Sequence, residues 1–305
     1  MVYFLRRILL VIPVLFGVVL FTFIIVSLTP GDPVRIMLGN QAPQELVEQL
    51  RQELGYNDPL PVQFFRYVGN LFEGDWGTSI RSGMPVLDEI LVRFPSTVKL
   101  TLLGISIAIV LGISGGLISV FGKNKLIQFA SDGISMLFIS IPIFWFAMML
   151  IWVFGVNLGW VSVIGGDSFK DLILPSITLA VGPAAVIAKL TRSSMLEVFG
   201  EDYVRTARSK GISEFRVITL HVLRNSLVSV VTLVGLQFAG MLGGAIFVEN
   251  VFGMAGIGSY AVSAINARDF PQVQGIVLFT AIIYVLVNLA VDLLYSVIDP
   301  RIRLE

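Results

Sequence analysis

Residues 8–28 read ILLVIPVLFGVVLFTFIIVSL, a run with no charged side chain. At 1.5 Å of rise per residue a helix of that length covers the roughly 30 Å of hydrocarbon in a bilayer. Arg6 and Arg7 precede it, and Thr29-Pro30-Gly31-Asp32-Pro33, a turn, ends it. A cleaved signal peptide has a shorter apolar region and a small-residue cleavage site, so the run reads as a retained first span.

Five further stretches are long enough to cross: Val98 to Phe121, Ile134 to Val156, Leu172 to Leu190, Leu227 to Val248 and Val273 to Ile298. The expected fold is therefore all-α, a polytopic membrane protein with six transmembrane helices. Composition agrees. Of 305 residues, 55% are hydrophobic and only 14% charged, and the mean hydropathy is +0.87. A soluble domain carries nearer 25% charge, so much of this surface has the bilayer as its solvent. There is no cysteine, which excludes disulfides, thiolate nucleophiles and Cys-based metal sites. The lone histidine, His221, excludes His-cluster metal sites. A net charge of zero gives no sign of a nucleic-acid partner.

Lys and Arg in the connecting segments set the orientation. With six spans, Arg6 and Arg7, Lys123 and Lys125, the loop with Arg192, Arg205, Arg208, Lys210, Arg216 and Arg224, and the tail with Arg301 and Arg303 all fall on one side. The opposite short loops hold only Lys170 and Arg268. Both termini and the basic loops are thus expected in the cytoplasm. The expected organisation is a first span over residues 1–28, an extracytoplasmic segment over 29–96, and a five-helix core over 97–305 that carries the loop 191–225. Long outer loops escape the charge rule. Within this one, Leu46, Val47, Leu50 and Leu54 share a helical face over Gln44 to Leu54, and Phe64, Phe65, Val68 and Phe72 suggest a second amphipathic helix over Val62 to Phe72. These helices are expected to pack on the protein's own outer surface; the interface or a partner are the other placements.

Charge inside the spans is scarce. Lys99, Asp132 and Lys189 lie at span ends, where reaching the interface costs little. Asp292 sits deeper, with Asn288 one turn earlier, and reads as a hydrogen-bonding group rather than a proton carrier. Gly112 and Gly116, and Gly240 and Gly244, recur at helix-packing spacing. No phosphate-binding loop is present, because Gly122-Lys123 is followed by Asn124 and Leu117 stands where the earlier glycine belongs. No G-x-S-x-G elbow or zinc-protease motif occurs either, so an enzyme acting alone is not expected.

The loop from Thr191 to Asn225 carries the strongest signal. Glu201 and Asp202 open a short helix, Arg205, Arg208 and Lys210 close it, and these charges complement its dipole. Gly211 suits a left-handed stop, and Ser213 suits the cap of a second helix. The residues alone leave two readings open, a rigid helix–Gly–helix and a solvated charged loop.

The segment Asp202-Tyr203-Val204-Arg205-Thr206-Ala207-Arg208-Ser209-Lys210-Gly211, followed by His221-Val222-Leu223-Arg224-Asn225, resembles the coupling loop of binding-protein-dependent ATP-binding-cassette importer permeases, in their dipeptide, oligopeptide and nickel branch. The likeness also includes Thr29 to Pro33, Gly74-Asp75-Trp76-Gly77-Thr78-Ser79, Glu249-Asn250-Val251-Phe252, Arg268-Asp269-Phe270-Pro271, and Asp292-Leu293-Leu294-Tyr295 with Asp299-Pro300-Arg301. It runs nearly end to end and matches the B-type subunit. One departure is Ser229, where the branch usually has proline.

The resemblance implies a type I importer permease in a bacterial or archaeal plasma membrane. It pairs with a second, homologous permease, two cytoplasmic ATPase subunits that bind ATP and Mg, and an extracytoplasmic substrate-binding protein. No cofactor, metal or catalytic residue is expected on this chain. Its partners would include membrane lipid and a peptide cargo, and no nucleic acid. The short helix would sit in a groove on one ATPase through Glu201, Asp202, Tyr203 and Thr206. Arg205, Arg208 and Lys210 would make polar contacts, Ala207 and Gly211 close-packing ones, and His221, Arg224 and Asn225 would orient the loop. The cargo implied is a dipeptide or oligopeptide, with a nickel chelate as the alternative within the family and an ion-coupled secondary transporter as the alternative outside it.

Overall fold

A computed structural model describes residues 2–39, 41–122, 124–161 and 168–298. Lys123, Asp299, Pro300, Arg301 and Arg303 lie outside the described residues, as do the side chains of Arg6, Arg7, Asp292, Leu294 and Tyr295.

In chain order the helices are α1 (Val2–Leu28), α2 (Pro33–Leu38), α3 (Gln44–Glu53), α4 (Leu60–Phe72), α5 (Val86–Phe121), α6 (Lys125–Ser140), α7 (Ile143–Leu150), α8 (Phe169–Phe199), α9 (Asp202–Ser209), α10 (Glu214–Arg216), α11 (Arg224–Phe252), α12 (Ile257–Ala267) and α13 (Phe270–Ile298). Among the described residues, strand-like pairing is limited to one bridge, Thr78 to Pro85. The fold is all-α. Five helices are long and apolar enough to cross a membrane, and α6 with the helix that follows makes a sixth crossing if the bent pair counts as one.

One expectation needs correction, and two helical features go beyond what was expected. The helix that carries the second expected span begins at Val86, ahead of Val98, because Asp88, Glu89 and Arg93 interrupt the hydropathy but not the helix, and Val86 and Ile90 are fully buried. The third span is not one straight helix. It bends by 105° between Ser140 and Ile143. Pro142 has no N–H to donate and pushes Ile141 into an extended conformation (ψ 126°), which ends α6 there. Beyond α7 the chain winds on as a π-helical stretch, Ile151–Asn157. Finally, α12 is a helix the apolar runs did not announce.

The chain divides into two compact units, Met1–Pro95 with Gly256–Leu286 and Ser96–Ala255 with Val287–Glu305. In the first unit, α4 lies on α1. Phe64 sets its ring edge-on to Phe16 and Phe23, with centroids 5.9 and 5.3 Å apart. A second cluster joins Val86 and Ile90 to Ile257, Tyr260, Ile276 and Phe279. A Cβ on Gly275 would lie 2.5 Å from Val86, so α13 approaches α5 more closely than any other residue permits. Buried Asp269 accepts from the Ser79 hydroxyl at 2.7 Å and the Arg81 N–H at 3.1 Å. Glu89 accepts from Gln272 at 3.0 Å and from the Tyr260 hydroxyl, and Arg93 lies 4.1 Å over the Tyr260 ring. Burial, and then the bond to Glu89, raises the Tyr260 hydroxyl above its ordinary pKa. The bonds to Asp269, with one from the Ser82 hydroxyl to Glu89, tie the segment 77–85 to α5 and to the turn before α13.

In the second unit α8 is the axis, with 61% of its apolar window buried. It runs parallel to α5: Gly104 faces Leu179, Gly112 faces Ile187, Gly116 faces Thr191, and Phe121 meets Phe199 at 5.8 Å. Parallel neighbours require the chain between them to return across the layer, so the bent pair α6–α7 makes one crossing. Around α8 pack Leu100, Ile105, Ala147, Val230, Met241, Ala245 and Phe252.

Candidate functional site

The loop between α8 and α11 is a built object. Glu201 takes an extended conformation at the N-cap of α9, and Asp202 and Arg208 occupy its first and last turns, where their charges suit the helix dipole. Val204 and Ala207, three apart, face inward onto Met195, Val217 and Val222. Burying Val204 contributes about 1.5–3 kcal/mol. An eight-residue helix too short to persist alone is thereby held in place. The end of α9 is a Schellman turn: Gly211 N–H donates to Arg208 O at 2.9 Å and Ile212 N–H to Ala207 O at 3.3 Å. Gly211 sits at φ +75°, a conformation glycine adopts without strain.

Across that turn Arg208 clamps Glu214. Its Nη2 and Nε lie 2.6 and 3.1 Å from Glu214 Oε1, and its guanidinium lies 5.4 Å from the Phe199 ring centroid. The hydrogen bonds from Arg208 hold the Glu214 carboxyl below its ordinary pKa of 4.5. Asn225 donates to the Tyr203 hydroxyl at 3.1 Å and to the His221 carbonyl at 2.7 Å, which ties α9 to the root of α11. That root is π-helical over Val217–Leu223, and Asn225 and Ser226 satisfy the widened turn's carbonyls at 2.7 and 2.8 Å. The helix runs on unbroken through Ser229.

The sequence-derived residues separate into distinct positions. Glu201, Asp202, Tyr203, Arg205, Thr206 and Lys210 are exposed along one side of α9. Arg205 makes only a loose 3.8 Å pair with Asp202 and is 74% exposed. The Ala207 side chain is buried in the chain's own cluster because it shares a face with Val204. Gly211 is exposed, and a Cβ there would meet nothing, so its backbone conformation rather than space requires glycine. Arg208 is engaged inside the loop. His221 is half-buried and Arg224 exposed.

The loop stands on close-packed helices. A Cβ on Gly112 would lie 2.6 Å from Ile187 and 2.8 Å from the Ala184 carbonyl; one on Gly116 would lie 2.6 Å from Thr191 and 2.9 Å from the Ala188 carbonyl. Gly240 and Gly244 do not make such an approach within this chain: a Cβ would meet nothing at the first and only Leu179, at 3.5 Å, at the second. Among the described residues no group of three His, Asp or Glu side chains is placed to hold a metal ion.

Residues 101–304 match the family described as binding-protein-dependent transport system inner membrane component, and residues 1–101 match that family's N-terminal membrane component. The chain belongs to the binding-protein-dependent permease family. It is 42% identical, over 99% of both chains, to the dipeptide transport system permease protein DppB of Alkalihalophilus pseudofirmus. It is 43% identical, over 99% of this chain and 98% of the relative, to the glutathione transport system permease protein GsiC of Escherichia coli K12. The permease also shares its fold with the MetNI methionine ABC transporter in inward-facing conformations (TM-score 0.59, 19% identity, 69% of this chain and 96% of that one). An amino acid ABC transporter crystallised with histidines gives a TM-score of 0.57 at 17% identity, over 69% of this chain and 94% of that one.

Sequence reasoning missed two features of this permease. Glu249 is fully buried near the end of α11, where Thr97 donates to it at 2.6 Å. Ending the fifth span at Val248 hid it; the left-handed Gly253 that stops α11 was the available signal. Asp132 lies 3.3 Å from Arg192 and accepts from Ser119 at 2.6 Å, joining α6, α8 and α5 rather than reaching for the interface.

Proposed function

We propose that this chain is one of two permease subunits of an ATP-driven importer of short peptides, with α9 as the element that receives motion from a cytoplasmic ATPase. End-to-end likeness to dipeptide and glutathione permeases carries the cargo class. The rigidity of the loop supports the coupling role. Inward anchors, a Schellman stop and the Arg208–Glu214 clamp make α9 a solid lever, and its exposed side offers Tyr203, Arg205 and Lys210 to a partner. A push on that side would pass through Met195 to α8 and through Val217 and Val222 to α11. Both termini and the basic loops would face the cytoplasm, residues 29–96 would form the extracytoplasmic segment, and residues 97–305 the core.

Mechanically, the two ATPases would close on ATP and Mg, displace α9, and shift the spans between inward and outward access. The second permease would supply the other half of the path, and an extracytoplasmic binding protein would deliver the peptide. The test is reconstitution of the chain with its companion subunits in proteoliposomes. Labelled di- and tripeptides should accumulate only with ATP and binding protein present. Accumulation driven by an ion gradient without nucleotide would overturn the proposal.

A further inference from the structure

The outer flank of α1 carries a second built site, in the first unit. The Phe64 ring of α4 touches both Phe16 and Phe23 of α1, so that ring reaches past the last turns of α1, while Leu60 at the start of α4 shares a groove with Leu28 at the end of α1. An amphipathic helix packed on the apolar flank of a span in this way suits the membrane interface. Its remaining surface agrees: Leu60, Val62, Phe65 and Phe72 are exposed, Phe65 by 72% and Phe72 by 89%, and so are Ile24 and Leu28 of α1.

Between the two helices runs an apolar groove of about 290 Å³, bounded by Leu20, Ile24, Leu28, Leu60, Pro61 and Phe65. Ser27 also lines it, but its hydroxyl donates to the Phe23 carbonyl at 2.8 Å. Beside the groove lies a cavity of about 540 Å³ with a mixed apolar and polar lining that shares Phe23, Ser27 and Leu60 with it. Two cations, Arg51 and Arg66, and two acids, Asp32 and Asp75, line the cavity. The arginines are positioned. Arg66 lies over Gly55, where a Cβ would meet Nη1 at 1.6 Å, and bonds Asp58 and the Leu54 carbonyl; Arg51 pairs with Asp32 at 2.5 Å.

An apolar groove beside a cavity of balanced charge is complementary to an amphiphile with both a phosphate and an ammonium. We propose that this is a binding site for an amine-bearing zwitterionic phospholipid of the outer leaflet, with one acyl chain in the groove and the phosphate at Arg66. The leaflet assignment rests on the orientation proposed above. A free peptide also carries both charges, but it would leave the groove unfilled.

The test is native mass spectrometry on the complete transporter, stripped of lipid in detergent and titrated with phosphatidylethanolamine or phosphatidylglycerol. We expect preferential retention of phosphatidylethanolamine, weakened roughly tenfold by Arg66→Gln through loss of a charge-assisted bond. A groove-filling variant, Ile24→Trp, should weaken it comparably, and glycerophosphoethanolamine or trialanine should not compete. Equal retention of the two lipids, indifference to both variants, or displacement by trialanine would overturn the inference. Lipid binding is read without transport, so transport lost with lipid retained counts against the importer reading alone. Transport retained with no lipid bound counts against this site alone. Loss of assembly in one variant leaves the other variant and the lipid comparison to decide.

Discussion

Arg208, expected to make a polar contact with an ATPase, is exposed and also braces its own loop through Glu214. The reason is local: Gly211 reverses the chain so that Glu214 comes back beside the last turn of α9. Arg208→Glu should therefore uncouple ATP hydrolysis from uptake, and the swap Arg208→Glu with Glu214→Arg should recover much of the coupling. The ratio of peptide imported to ATP hydrolysed checks both. The Glu214 carboxyl is held below its ordinary pKa of 4.5, so the clamp's contribution is present at neutral pH and is lost only as pH falls through that depressed value. Coupling should accordingly show no titration from this pair between about pH 6 and about pH 8. At Gly211 the φ of +75° decides: Gly211→Pro cannot adopt it and should cost more than about 1 kcal/mol locally, whereas Gly211→Asn should be tolerated. The side chains in this loop were legible as a helix and a stop, but which of them turn inward was not. Burial of Ala207 depends on Met195 and Val217, and no spacing within the loop reports on those partners.

Helices were legible where apolar length or a clean face announced them. The five long apolar helices, the bent pair and both amphipathic helices within residues 29–96 fall close to the expected positions. What escaped was helix that begins in charged sequence, as in the first turns of α5, helix too short to announce itself as a span, as α12, and helix broken within apolar sequence, as at Pro142. In each case the deciding interaction is tertiary or steric and leaves hydropathy unchanged. Glycine spacing was likewise ambiguous. Gly112–Gly116 and Gly240–Gly244 look alike in sequence, yet only the first pair lets two helices of this chain approach. Gly116→Val should therefore force α5 from α8 at a cost of roughly 1–3 kcal/mol. It should lower the thermal stability of the purified protein, while Gly240→Ala should leave it unchanged. Equal sensitivity at both positions would remove the distinction.

At the scale of the whole molecule, the proposed function has this chain supply spans and a short cytoplasmic helix while a separate ATPase supplies the energy. The proposed entry is the exposed side of α9. The chain contains no cysteine, so one introduced at a single position is unique on this chain. The most direct measurement is cross-linking of the assembled transporter through Arg205→Cys and, separately, Ala207→Cys. The account predicts that Arg205→Cys joins the ATPase subunit, with a yield that changes on addition of ATP, and that the buried Ala207→Cys does not. An active complex in which Arg205→Cys stays open to soluble thiol reagent and never reaches the ATPase would contradict it.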